Sequence, residues 1–312
     1  MTGTGRAPGK VILLGEHAVV YGQPALAVPV RQVEAVAEIA ALSDAPAGRI
    51  WIEASQVGFQ GWLDGADPQN PLVRIVELTL GDLGRRPSSI SLSIRSTIPI
   101  ASGLGSGAAV SVAVIRALCD HFGASLSLER QSALAFEVEK LHHGHPSGID
   151  NTVVVYEAPV SYVRGQPPQP LRVGSPFTLV IGDTGVPAAT AVAVGQVRQA
   201  WLANPAHFER IFRAIGECVR RGQGAIEKGN VRMLGACMDE NHRLLQEVGV
   251  SSEPLDRLVG AARQAGALGA KLSGAGPAGN MIALVQAAHA EEVDRALRGA
   301  GAARTIVTEF TP

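Results

Sequence analysis

Residues 99–113 read Pro-Ile-Ala-Ser-Gly-Leu-Gly-Ser-Gly-Ala-Ala-Val-Ser-Val-Ala, and they constrain the chain more than any other stretch. Just before them, residues 91–98 alternate polar and apolar side chains, the period of a half-buried strand. Residues 108–119 are small, apolar and free of breakers, which predicts a buried helix. Gly103, Gly105 and Gly107 lie between. Glycine admits positive φ and lets another group come close to the main chain. A helix N-terminus that follows at once offers free N–H groups and the positive end of a dipole. Strand, glycine turn and helix start together make an anion cradle. A tight turn packed against its neighbours is the plainer reading of Gly-x-Gly, so the other stretches decide.

With 312 residues, 46% hydrophobic and 18% charged, the chain has material for two globular domains. A net charge of −1 with no basic run gives a nucleic-acid backbone nothing to bind. Cys119, Cys218 and Cys237 are scattered and odd in number, so a disulfide framework is not expected and a reducing cytoplasm is. The apolar run at 11–14 is followed at once by Glu16 and His17, unlike a signal peptide, and no apolar run is long enough to cross a membrane.

Residues 7–22 read Ala-Pro-Gly-Lys-Val-Ile-Leu-Leu-Gly-Glu-His-Ala-Val-Val-Tyr-Gly. Residues 11–14 predict a buried strand, and Gly15 begins a turn that carries Glu16 and His17 to where a cleft usually opens. Residues 23–40 and 49–53 predict further strands, 58–69 a loop, and 72–80 a helix with Pro71 in its first turn. Ser127 can cap a helix over 128–142 whose core face is Leu134, Val138 and Leu141. Glu139 lies beside that face, where a solvated flank is the ordinary outcome.

The run His142-His-Gly-His-Pro-Ser-Gly-Ile-Asp-Asn invites a zinc reading, but no His-Glu-x-x-His or paired Cys supports it. Pro146-Ser-Gly predicts a turn that presents Asp150 at the mouth of an apolar strand, 152–156. Pro167, Pro168 and Pro170, with Pro176 just beyond, mark a domain boundary, dividing the chain at 1–172 and 173–312. Beyond it, helices at 190–202, 205–222, 230–248, 253–265 and 288–298 accompany strands at 177–181, 270–273, 280–285 and 305–310. That pattern is α+β with a small antiparallel sheet.

Two familiar phosphate motifs are set aside. Residues 274–279 match Gly-x-Gly-x-x-Gly as letters but lead into a strand, not a helix. The first cluster does open a helix, yet no acidic residue ends a following strand, as a dinucleotide fold requires. A Walker A sequence is absent.

Three motifs in order, residues 8–22, 99–109 and 271–276 (Lys-Leu-Ser-Gly-Ala-Gly), resemble those of the galactokinase, homoserine kinase, mevalonate kinase and phosphomevalonate kinase superfamily. Residues 144–151, Gly-His-Pro-Ser-Gly-Ile-Asp-Asn, are most similar to the mevalonate kinases within it. The resemblance implies an α+β, two-domain small-molecule kinase fold: an N-terminal ATP-binding domain like ribosomal S5 domain 2 and a ferredoxin-like C-terminal domain. It implies ATP-dependent phosphorylation of the primary hydroxyl of (R)-mevalonate, with Mg2+ and a homodimeric, cytoplasmic enzyme as further expectations. By the same resemblance Ser102, Gly103, Leu104, Gly105, Ser106, Gly107 and Ala108 would hold ATP, and Glu139 with Ser106 the metal. Asp150 would be the base, with Lys10 close to it to keep it ionised. Glu16, His17, Ser147, Gly148 and Thr190 would bind the acceptor, and Gly274, Ala275 and Gly276 would form the third glycine loop.

Two departures stand out. The superfamily usually has a second serine where this chain has Gly107, and more glycines where it has Pro277-Ala278-Gly279-Asn280. The rival expectations are another kinase of the superfamily, acting on phosphomevalonate or a sugar, and a silent metabolite-binding homologue.

Overall fold

The computed structural model describes residues 2–42, 48–99, 102–143, 146–187 and 190–312, the side chains of His142 and His143 excepted. Ile100, Ala101, Gly144 and His145 of the motifs therefore lie outside the described residues. In chain order the elements are β1 (Gly3–Leu14), β2 (Ala25–Ala41), β3 (Ile50–Ala54), β4 (Phe59–Trp62), α1 (Pro71–Leu83), β5 (Ile90–Ser96), α2 (Ser106–His121), α3 (Leu128–His143) and α4 (Ile149–Tyr156). Then come β6 (Val160–Tyr162), β7 (Gln169–Pro170), β8 (Phe177–Asp183), α5 (Thr190–Ala203), α6 (Pro205–Glu227), α7 (Val231–Val248) and α8 (Glu253–Gln264). The chain closes with β9 (Gly269–Ser273), β10 (Asn280–Val285), α9 (Ala290–Gly299) and β11 (Arg304–Phe310).

Two compact units result. One comprises Met1–Gly9, Val33–Pro99 and Gly105–Glu157, the other Lys10–Gln32, Ile100–Leu104 and Ala158–Pro312. They are not consecutive stretches, because β1 and β2 run from one into the other. Residues 1–172 and 173–312 remain our proposed division into evolutionary domains, a property distinct from compactness.

In the first unit, strands follow the order β4-β3-β5-β2. The pairs β3–β4 and β2–β5 are antiparallel, but β3 and β5 run parallel, with Ile50 opposite Ile90. The parallel pair is the exception among these three. It arises because α1 intervenes between β3–β4 and β5, long enough to carry the chain back to the same end. Helices α1 to α4 pack on one another. Helix α2 closes on the first residues of β1 so tightly that a Cβ on Gly5 would lie 2.0 Å from the carbonyl oxygen of Ala113. Ile52, Ile75, Leu92, Val112, Ile115 and Leu134 fill this core.

Three expectations fail in this unit. Residues 58–69 are not all loop: Phe59–Trp62 forms β4, its Trp62 ring edge-on to Trp51 with centroids 5.1 Å apart. Leu141, expected on the buried face of α3, is 40% exposed in the last turn, while Glu139 is 3% exposed. Residues 152–156 form no strand; they complete α4. A short buried run of valines carries no period that separates strand from helix. The helix is settled locally, by Gly148 in the left-handed region at φ 90° and by Thr152 Oγ1 donating to Gly148 O at 2.6 Å.

In the second unit, β8 to β11 form a wholly antiparallel sheet in the order β11-β8-β10-β9. Every residue of β9 and β10 is buried. Helices α7 and α8 pack on β9, and α9 on β8. The first residues of β2 pair with β6, and β6 with β7. Helix starts follow local chemistry: the side chains of Asn204 and Asn230 accept from His207 N and Met233 N.

Helix α7 meets β9 backbone to backbone, since a Cβ on Gly269 would lie 2.2 Å from Gly235 O, and one on Gly235 equally close to Leu268 O. Gly235→Ala or Gly269→Ala is expected to cost about 1–3 kcal/mol or more, read as a lower urea midpoint. Gly195→Ala, on the exposed face of α5 with nothing near its Cβ, is expected to stabilise by about 0.5–1 kcal/mol.

Candidate active site

The expected site residues fall into both compact units, and each set has its own geometry. In the second unit, all three motifs are joined by hydrogen bonds. Lys10 N donates to Leu104 O at 2.9 Å, tying the end of β1 to the first glycine turn. The Ser273 hydroxyl accepts from Ile12 N at 3.1 Å and donates to Ile12 O at 3.0 Å, tying β1 to β9. Asn280 Nδ2 donates to Ser102 O, tying the third motif to the first glycine turn. Gly103 (φ 85°) and Gly274 (φ 103°) face each other: a Cβ on Gly274 would lie 3.8 Å from the Gly103 Cα. Gly276 (φ 52°) is fixed more firmly still, because a Cβ there would sit 1.8 Å from Val250 O.

Glu16 and His17 are presented by the turn after β1. Gly15, at φ 104°, has its backbone against Pro24 and Ala25, and its N–H donates to Asn241 Oδ1 at 3.0 Å. Glu16 is buried and forms an ion pair with Lys271, which is also buried and donates to Leu272 O. Burial pushes the Glu16 carboxyl above its ordinary value, opposed by the charge and hydrogen bond of Lys271 and by the charge of Lys10. Burial likewise pulls Lys271 down, opposed by Glu16.

His17 adopts a left-handed backbone, φ 59°, and its Nε2 lies 3.0 Å from Ala275 O. A carbonyl only accepts, so Nε2 carries the proton. Burial lowers the ring's pKa to about 4, so His17 is neutral at pH 7 with Nδ1 as its acceptor. Thr190 opens α5 and is half-buried.

In the first unit, Gly105 (φ 75°) precedes α2, and the first bond of the helix ladder is Ala109 N to Gly105 O, 2.9 Å. The N–H groups of Ser106, Gly107 and Ala108 thus stand at the helix end with no carbonyl of the ladder to receive them. This is the arrangement an anion cradle needs. Glu139 is buried on α3. Asp150 sits in the first turn of α4 rather than at a strand mouth, half-buried. Ser147 Oγ accepts from Ile149 N at 3.3 Å, and Asn151 Nδ2 donates to Ser132 Oγ at 2.8 Å, fixing the turn onto α3. Glu139 and Ser106 both offer oxygen, and Mg2+ takes one or two protein oxygens with phosphate oxygens and water completing its shell. The donor set therefore suits that ion. Among the described residues there is no cluster of three or more His, Cys, Asp or Glu that could hold a metal alone.

Sequence reading missed Lys271, Asn280, Asn241 and Ser273 as members of the site. Lys271 carried a signal, an ionisable residue inside an otherwise apolar strand; the other three carried none.

Residues 70–158 match the family described as "GHMP kinases N terminal domain", and residues 223–303 that described as "GHMP kinases C terminal". A protein of Pyrococcus horikoshii named mevalonate kinase is 37% identical, covering 95% of this chain and 92% of its own length. One of Aeropyrum pernix, of the same name, is 36% identical over 93% of this chain and 90% of its own. Among solved structures, the L. major mevalonate kinase in complex with R-mevalonate superposes with a TM-score of 0.84 at 28% identity, covering 100% and 97% of the two chains.

Two buried imidazoles make stability depend on pH. His242, whose Nδ1 accepts from Leu272 N at 3.3 Å, is also lowered to about 4, by burial and against the pull of Asp256. Between pH 6.5 and 4 the unfolded chain binds protons that these folded rings refuse, so their contribution is present above 6.5 and lost as pH falls. Glu16, raised by burial, acts with the opposite sign from its ordinary 4.5 upward. The clean measurement is therefore a difference: urea midpoints of His242→Gln are expected to fall less than those of the parent from pH 6.5 to 4.5.

Proposed function

The chain belongs to the GHMP kinase family, and on that premise we propose that it transfers the γ-phosphoryl group of ATP to the primary hydroxyl of (R)-mevalonate, giving 5-phosphomevalonate and ADP. The observation that carries the substrate is the similarity to proteins named mevalonate kinase over nearly the whole of both chains. The turn from Ser102 to Ala108 receives the ATP phosphates on the N-terminus of α2. Gly103 and Gly274, both at positive φ, present main chain without a side chain to the phosphates.

Asp150 takes the proton of the attacking hydroxyl, whose oxygen bonds to the γ-phosphorus as the bond to the β,γ-bridging oxygen breaks. Lys10 supplies positive charge to the oxygen that loses the proton. Glu139 and the Ser106 hydroxyl would hold Mg2+, which would supply positive charge to neutralise the phosphates. Gly107 contributes only its N–H, so Ser106 is the one hydroxyl of the pair that can serve the ion. Glu16, His17, Ser147, Gly148 and Thr190 bind the acceptor. A cytoplasmic homodimer completes the reading; the three free, buried cysteines suit a reducing compartment, and light scattering checks the dimer. No helix among the described residues is long and apolar enough to cross a membrane.

Coupled detection of ADP with mevalonate, phosphomevalonate and galactose as acceptors tests the substrate; turnover confined to phosphomevalonate or galactose refutes it. Asp150→Asn is expected to lower kcat by about 10²–10⁴-fold with KM for ATP unchanged. Near-parental turnover removes Asp150 from the role of base.

A further inference from the structure

Lys271 is the oddest residue in the fold. It lies in mid-strand in β9, where every residue is buried, opposite Ile282 of β10. Lysine is almost never fully buried unless paired. Pairing does not explain why it is there, since a buried ion pair adds little over apolar residues of like volume, and is often the less stable choice. The explanation has to come from its partner.

The partner, Glu16, has only half its hydrogen-bonding capacity used. Oε1 receives Lys271 Nζ, whereas Oε2 is buried and has no hydrogen-bond partner among the described residues. An ionised carboxylate oxygen left bare in the interior is costly and calls for a donor. The turn that carries it is latched from two sides, by Asn241 on Gly15 N and by Ala275 O on His17. The third motif therefore holds Glu16 through Lys271 and His17 through Ala275.

Resting on the reading of Glu16 as an acceptor-binding residue, we propose that Lys271 is a positioning residue: it holds Glu16 as an anion, with Oε1 engaged and Oε2 left to accept a hydroxyl proton from the acceptor. Two acceptors presented by consecutive residues of one turn, Glu16 Oε2 and the neutral ring of His17, suit hydroxyl donors and not an acceptor's carboxylate. The charge of Lys271 is spent on Glu16 and does not reach the substrate. The charged and titratable groups that bear on the pair are Lys10 and His17 beside Glu16, and His242 and Cys218 beside Lys271. None of these can replace the contact from Nζ.

The test is steady-state kinetics of Lys271→Met, Lys271→Arg and the double variant Lys271→Met/Glu16→Gln, with both substrates varied from pH 6 to 9. In Lys271→Met, Glu16 is left buried with only the weaker pull of the Lys10 charge against its desolvation and takes up a proton. KM for mevalonate is expected to rise at least about tenfold at pH 7 and to recover as pH rises, with KM for ATP within about twofold of the parent. Lys271→Arg is expected to restore most of the loss. The double variant, which carries no charge at positions 16 and 271 and folds if the single one does not, is expected to show the same rise without the pH dependence. An unchanged mevalonate KM in either Met variant, or equal rises in both KM values, overturns the proposal. If the parent itself fails to turn over mevalonate, the functional reading falls, and the same comparison is made with the acceptor it does use.

Discussion

Main chain running against main chain, with no side chain between, is the constraint on which the second unit depends. Gly103 faces Gly274, Gly276 lies on Val250, and Gly235 of α7 lies on Gly269 of β9. A Cβ at Gly235, Gly269 or Gly276 would fall within 2.2 Å of a carbonyl oxygen, while Gly103 and Gly274 favour glycine through their positive φ, so the strands and turns that carry the motifs approach as they do because these positions are glycine. Once they approach, backbone groups are within reach of one another, and short hydrogen bonds become available. Lys10 N to Leu104 O and Asn280 to Ser102 O are the outcome. Three segments far apart in sequence become one rigid backbone frame.

Polar side chains then do inside that frame what apolar ones do elsewhere. Ser273 spans β1 and β9 through both its donor and its acceptor, and Asn241 takes the N–H of Gly15 that a strand neighbour would otherwise take. Glu16 and Lys271 add a charge pair to the same interior. Such a network is costly to desolvate, and partial satisfaction costs most. It fixes a geometry that an apolar core of equal volume would leave free to slide. The buried His17 belongs to the same interior, kept neutral by its burial against the pull of the Ala275 carbonyl.

The first unit reaches its chemistry by different means. There the groups we propose for the reaction ride on helices: Ser106 and Ala108 at the start of α2, Glu139 on α3, Asp150 at the start of α4. Asn151 fastens α4 to α3 through Ser132, so Asp150 takes its position from a side chain next to it in sequence. Placement at helix starts also brings backbone dipoles to bear on bound anions without further charged residues. That accords with a chain of nearly neutral net charge whose proposed substrates are anionic.

By itself, the amino-acid sequence determined the features that depend on near neighbours. These include the glycine turn opening α2, the capped α1 and α3, the order of elements after residue 176 and the motifs that placed the chain in its family. Each rests on a period, a cap or a breaker within a few residues. The character of 149–156 escaped, because four apolar residues in a row fit either a strand or a helix, and Gly148 and Thr152 settled it through one turn of backbone. So did β4, whose pairing with β3 makes a strand of a stretch with weak propensity of its own. Only the tertiary structure decided that Lys271 meets Glu16, 255 positions away, or that Asn280 reaches Ser102. Contacts of that separation are chosen by how whole sheets pack, and no local pattern of residues encodes a partner that the fold alone brings near.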